Sequence, residues 1–226
     1  MKVFFDTNDK SKKDFYEYGF KMGNKDIECF SIKDEELVNK MKFKVTMDDF
    51  EEENDSNDYL TVSIKESLFI DGLSDENQPG ALYNMPKILF DDISEEKKVS
   101  DLDVVNYYAS VVEKLGGSAN AKFIDEVTIS YRGKEIKKFA IENEATFTSK
   151  ASKVIKKGNP LKSLMLIPEF GDIHFSECDD SDREILYETR DKKNLKIIAK
   201  EIEEVKRIYD DMNSKEKDFL NNEIKI

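Results

Sequence analysis

The chain has 226 residues, 38% of them hydrophobic and 38% charged, with a formal net charge of -13. That length and apolar content suit one sizeable domain, alone or with an appendage. The strong negative charge disfavours nonspecific binding to nucleic acid or to an anionic membrane. No apolar run reaches transmembrane length and no signal-peptide pattern is present, so the expectation is a soluble, cytoplasmic protein. Two cysteines, Cys29 and Cys178, stand far apart in no metal-like spacing, which predicts free buried thiols. One histidine, His174, excludes a multi-histidine metal site. Only carboxylate-based chemistry is left for a metal, and that suits Mg²⁺.

Residues 1–5 predict a short buried strand, followed by a polar loop, Asp6-Thr7-Asn8-Asp9. A helix can begin at Ser11, with Phe15, Tyr18 and Met22 near helical spacing. Strand, polar loop and helix N-terminus together make an anion site available, because free N–H groups and the helix dipole favour phosphate. Residues 27–32 alternate as a strand. Residues 48–58 are mostly Asp, Glu and Asn, a solvated loop or short helix, with cation binding as the alternative. Residues 62–73 read as a buried strand that ends in the turn cluster Ser74-Asp75-Glu76-Asn77. Residues 101–115 give the clearest helix, with Leu102, Val105, Tyr108, Val112 and Leu115 at steps of three and four. Gly116-Gly117 ends it. Two strand patterns, 123–131 and 136–147, flank Arg132-Gly133-Lys134 and predict a β-hairpin. Residues 153–157 form a short basic patch, and 164–167 an apolar strand. From Asn194 a last helix carries Ile198, Ile202, Val205, Tyr209 and Met212 at steps of four and three. That seam suits packing on the domain or on a partner helix, so a homodimer is an open alternative.

Several of these stretches carry a resemblance. Leu68-Phe69-Ile70-Asp71-Gly72-Leu73, with Gln78-Pro79-Gly80-Ala81-Leu82-Tyr83 after it, resembles a motif of the inosine/xanthosine triphosphate pyrophosphatase family. In that family a paired acidic step and Ser-Gly-Leu precede the apolar run, and a Pro-Gly turn with a Tyr follows. Here Ile64 and Lys65 stand at the acidic step, and Glu66-Ser67 where Ser-Gly would be. The family opens with Thr-x-Asn-x-x-Lys, and here Thr7 and Lys12 match while Asp9 replaces the Asn. Its metal-binding Glu has its nearest equivalent at Val38-Asn39. Its glycine-and-aromatic loop is replaced by residues 158–163, with Ser163 where the family has Asp, although Pro168-Glu169 and Phe175-Ser176-Glu177 keep their spacing. Its closing Ser-His-Arg reads Glu188-Thr189-Arg190.

The resemblance implies an α/β (mixed) fold: an elongated two-lobed domain with a central twisted mixed sheet flanked by helices and a cleft between the lobes. It covers residues 1–200, which leaves 201–226 as a C-terminal helical extension. It implies hydrolysis of a purine nucleoside triphosphate or related nucleotide to the monophosphate and pyrophosphate, with Mg²⁺ as cofactor if the protein is active and none otherwise. Substrate contacts would fall to Thr7, Asp9, Lys12, Lys65, Ser163 and Arg190. Lys12 and Arg190 have plain surface roles as the competing reading. A lysine cannot serve as an ionised carboxylate at neutral pH, so Glu66 and Asp71 are the remaining candidates for the catalytic acid or base. Because several chemical positions change together, the expected function is nucleotide binding on the pyrophosphatase scaffold with weak or absent hydrolysis. The alternatives are an active pyrophosphatase with a rearranged site and a non-catalytic interaction module. No nucleic acid and no membrane are expected as partners.

Overall fold

The computed structural model describes residues 1–7, 9–31, 59–84 and 99–223. Seven strands form one sheet in the order β2-β1-β3-β4-β5-β6-β7. They are β1 (Lys2–Asp6), β2 (Glu28–Ser31), β3 (Tyr59–Ile70), β4 (Ser118–Tyr131), β5 (Lys134–Thr148), β6 (Met165–Ile167) and β7 (Ile173–His174). The α-helices are α1 (Lys10–Gly23), α2 (Asp101–Lys114), α3 (Asp180–Glu188) and α4 (Lys192–Glu223). β1 pairs in parallel with both β2 and β3, whereas β5–β6 and β6–β7 are antiparallel, so the sheet is mixed as expected. Parallel pairing of β1 with β2 needs a crossover, and α1 supplies it. β4 and β5 are joined by Arg132 and Gly133 at φ 49° and 74°. Two successive positive φ values suit a tight hairpin turn whose twist matches the strands, and glycine takes the second at little cost.

The chain divides into two compact units. The first holds residues 1–64, 127–139 and 192–226; the second holds 65–126 and 140–191. In the first, Val3, Phe5, Leu60 and Val62 are buried on the strands, and Phe5 stacks on Phe20 of α1 at 5.4 Å between ring centroids. Ile198, Ile202 and Val205 of α4 are fully buried, so the predicted seam is consumed within the chain, against α1. Tyr131 ties β4 to the same helix: its ring lies 5.4 Å from that of Tyr209, and its hydroxyl donates to Asn213 Oδ1 at 2.9 Å.

The buried face of α1 differs from the expected one. It carries Tyr16, Gly19 and Phe20, while Met22 is 46% exposed. Glycines set this face, and a search for apolar periodicity does not see them. A Cβ on Gly19 would lie 2.7 Å from Ile198 Cγ2. One on Gly23 would lie 2.3 Å from the Ala199 carbonyl oxygen and 2.6 Å from Ile202 Cγ2. The two helices therefore approach through a Gly-x-x-x-Gly step. Gly23→Ala should destabilise the protein by about 1–3 kcal/mol, the usual cost of overpacking. That exceeds the gain of at most about 1 kcal/mol from better helix propensity. A urea midpoint at or above that of the parent would refute it.

In the second unit α2 packs Val104, Val105, Tyr108 and Val112 into a core with Leu68, Ile70, Ala119, Ala121, Phe123, Phe147, Leu161 and Leu164. Leu102, expected on that face, is exposed in the first turn, and Val104 takes its place. A capping box between Ser100 and Asp103 starts α2, and another between Asp179 and Asp182 starts α3. Of the apolar residues on the predicted strands, Phe4, Val62, Phe123 and Val127 are buried. Ile64, Phe69 and Leu166 are only half-buried. On β3 the buried side chains are Leu60, Val62, Leu68 and Ile70, and strand alternation puts Phe69 on the other face. Both cysteines are free as expected, but only Cys178 is buried, and Cys29, on β2, is half-buried. Burial, helped by the Glu17 charge, pushes the Cys29 thiol up to about 12, and burial also raises Cys178. No helix among the described residues is long and apolar enough to cross a membrane.

Candidate functional site

Three expected site residues sit together where β1 gives way to α1, in the first unit. Asp9 is the N-cap of α1. Its Oδ1 accepts from the Ser11 amide at 2.9 Å, the Lys12 amide at 3.3 Å and the Ser11 hydroxyl at 2.6 Å. Thr7 Oγ1 accepts from the Asp9 amide at 3.2 Å and so fixes the turn that aims this carboxylate. Two of the N–H donors that would greet a phosphate are thus already bonded to a charged cap. Lys12 lies half-exposed in the first turn of the helix.

The second unit holds Lys65, Glu66, Asp71, Ser163 and Arg190. Alternation along β3 separates the first two: Lys65 is exposed, and Glu66 falls on the face of Leu68 and Ile70. There Glu66 accepts a short hydrogen bond from the Tyr83 hydroxyl. Tyr83 is held in turn by its carbonyl, which accepts from the Tyr108 hydroxyl at 2.9 Å, and by its ring, 5.6 Å from that of Phe123. Burial, then the Glu66 charge and hydrogen bond, push the Tyr83 phenol far above its ordinary range, and Asp125 adds to the shift. Tyr83 therefore acts as a donor and not as a base. Gln78 secures the turn between Glu66 and Tyr83: its side chain accepts from the Ile70 amide at 2.8 Å and donates to the carbonyls of Ile70 and Leu73 at 2.9 and 3.0 Å.

Asp125 is the functional candidate that sequence reasoning missed. On β4 the odd-numbered positions from Ala119 to Tyr131 are all buried, and Asp125, 2% exposed, is the one charged residue among them. The strand's own alternation carried that signal. Glu66 bonds the Tyr83 phenol, and the Asp125 charge opposes ionisation of the same phenol. Asp71 is exposed in the turn after β3, where its amide donates to the Asn120 carbonyl at 2.8 Å. Ser163 is fully buried, and its hydroxyl donates to the Pro160 carbonyl at 2.7 Å. Arg190 grips Asp191 through Nε at 2.8 Å and lies 5.7 Å over the Phe175 ring, which also carries Lys162 at 5.7 Å.

Mg²⁺ asks for oxygen ligands in near-octahedral order, commonly one or two carboxylates plus phosphates. Among the described residues no three Asp, Glu, His or Cys side chains come together as such a group. Glu66, the better placed carboxylate, is already engaged by Tyr83. The described residues therefore show no preassembled group of Mg²⁺ ligands. Val38, Asn39 and the acids of 48–58 lie outside them.

No family model and no curated protein sequence matches the chain. Among solved structures, a HAM1 protein from Coxiella burnetii superposes with a TM-score of 0.52 at 11% identity, covering 88% of this chain and 97% of that one. The Ham1 protein of Staphylococcus aureus gives 0.44 at 14% identity, over 81% and 89% of the two chains. A nucleoside-triphosphatase, dITP/XTP pyrophosphatase, from Mycobacterium abscessus gives 0.44 at 12% identity, over 86% and 98%. The mixed seven-stranded sheet and its agreement with the Coxiella burnetii protein over most of both chains show that this chain has a HAM1-type α/β fold.

Proposed function

We propose that the protein binds a purine nucleoside triphosphate or a related nucleotide on a HAM1-type scaffold, with hydrolysis weak or absent. The observation that carries this reading is the state of β3 at the step where the resembling family is acidic. Lys65 is exposed there, and Glu66 is committed to the Tyr83 hydroxyl. The side chains that remain suited to a nucleotide are donors and cations, which bind phosphate without a base. In the first unit Thr7, Asp9 and Lys12 are the candidate phosphate contacts of this reading, and in the second unit Lys65 and Arg190 are its candidate cations. Ser163, with its hydroxyl turned to Pro160, would contribute through its backbone. An active enzyme, by contrast, would need Glu66 released from Tyr83 or further carboxylates to hold Mg²⁺.

Titration calorimetry with a non-hydrolysable inosine triphosphate analogue tests the binding. Affinity should fall as salt rises, and Lys12→Ala should weaken it by about tenfold, the worth of one charge-assisted hydrogen bond. Asp9→Asn should strengthen it by roughly two- to fivefold. Asparagine caps the helix equally well, and the change removes a negative charge from the positive end of the dipole. No binding of any purine triphosphate by either the parent or the Asp9→Asn protein would overturn the reading and leave a protein-interaction role.

A further inference from the structure

Residues 150–157 read Lys-Ala-Ser-Lys-Val-Ile-Lys-Lys, four cations and no acid in a chain of net charge -13. All four lysines are exposed, and among the described residues none has a carboxylate partner. Between them Val154 and Ile155 are 43% and 36% exposed, the only adjacent pair of exposed large apolar side chains among the described residues. An unpaired cluster of this kind beside bare apolar surface is what a complementary acidic partner would cover.

The segment is held in place. The Ser152 amide donates to the Ser163 carbonyl at 2.8 Å, and its hydroxyl donates to Glu177 Oε1 at 2.6 Å. The same hydroxyl oxygen accepts from the Val154 amide at 3.0 Å. His174 Nε2 donates to the Lys150 carbonyl at 2.8 Å. At the far end the Gly158 amide donates to Asp101 Oδ2 at 2.9 Å, which brings the first turn of α2, with its exposed Leu102, to the end of the loop. Ser152 itself is buried, so the hydrogen bonds sit beneath a surface of Lys, Val and Ile side chains. A loop ordered before contact loses little conformational entropy on binding.

We propose that residues 150–157 are a docking surface for a short acidic segment of a partner protein, one that places an apolar side chain between Asp or Glu residues. Charge selects the class of partner. Attraction to the four lysines acts over about one Debye length, roughly 8–10 Å at ordinary salt. A peptide touches only the loop, whereas an anionic lipid sheet would also meet the acidic remainder of the chain. The two readings share only the Ser163 backbone, whose carbonyl holds the Ser152 amide, and none of the side chains varied below, so either can fail alone.

Fluorescence anisotropy with a labelled peptide of Glu pairs alternating with single Leu residues tests it on the full-length protein. The acidic peptide should bind, and the same peptide with Lys for Glu should not. Joint reversal by Lys153→Glu and Lys156→Glu should weaken binding at least tenfold, and Val154→Ser with Ile155→Ser by several-fold. Added salt should erase the first effect and spare most of the second. Lys150→Gln with Lys157→Gln gives the charge test again without placing acids in the loop, and circular dichroism checks each fold. Equal binding by parent and charge variants overturns the proposal. So does sedimentation with phosphatidylserine vesicles in the absence of peptide binding, or self-association that tracks the same lysines.

Discussion

Ile202→Lys should lower the stability of the protein by about 3–5 kcal/mol, the range for a buried charge left without a partner. Ile202 is fully buried in α4, and its Cγ2 lies 2.6 Å from where a Gly23 Cβ would stand. The substitution therefore removes packed methyl groups from a site closed by α1 and asks an ammonium to occupy it. Against a total stability of roughly 5–15 kcal/mol for an ordinary domain, that is a large share. Ile197→Lys on the same helix is the control. Ile197 is 38% exposed, and a surface change of this kind stays within about 0.5 kcal/mol. Urea unfolding with light scattering decides the matter. An Ile202→Lys protein with the parent's midpoint and mass would show that the seam contributes nothing.

Turnover of inosine or xanthosine triphosphate should fall about 10²–10⁴-fold below that of an ordinary enzyme, the typical worth of a general base. From a common value on the order of 10 s⁻¹, this leaves roughly 10⁻³–10⁻¹ s⁻¹. Lys65 puts an exposed cation where the resembling family has an acid. Glu66 already accepts a hydrogen bond from the Tyr83 hydroxyl, which keeps its proton because burial and the Glu66 charge oppose ionisation. Asp71, the other candidate, is exposed in a turn, where bulk water screens any charge it could offer. Pyrophosphate release with Mg²⁺ present, measured across the purine triphosphates, is the test. A rate near 1 s⁻¹ or more would sink this reading, and Glu66→Gln and Asp71→Asn would then locate the base.

Much of the sheet could be read from the chain, because strand patterns and turn residues are local. The hairpin at Arg132-Gly133 and the helix starting at Asp101 lie where the sequence places them. The face of α1 was not legible in the same way. Phe15, Tyr16, Tyr18, Phe20 and Met22 put apolar groups on several sides of the helix, and the side that packs is chosen by two residues with no side chain. Leu102 misled for a related reason: its spacing fits the apolar stripe, but Val104 in the next position fills the core. At the candidate site, the split between Lys65 and Glu66 follows from alternation alone, and so does the burial of Asp125. The Tyr83–Glu66 bond spans 17 residues and depends on how the intervening turn is tied. No spacing rule announces it, and Asp9 likewise reads as a substitution in a motif until its cap geometry is seen.

The pairing of α1 with α4 also governs the order in which the protein can assemble. Gly19 and Gly23 are synthesised about 180 residues before the residues they pack on, Leu195 to Ile202. At the usual rates of translation, roughly 5–20 residues per second, α1 waits on the order of ten to forty seconds for its partner helix. Contacts this distant along the chain slow folding, since a long loop must close before they form. The glycines that allow the two helices to touch thus serve a contact that forms late, after α4 has been made.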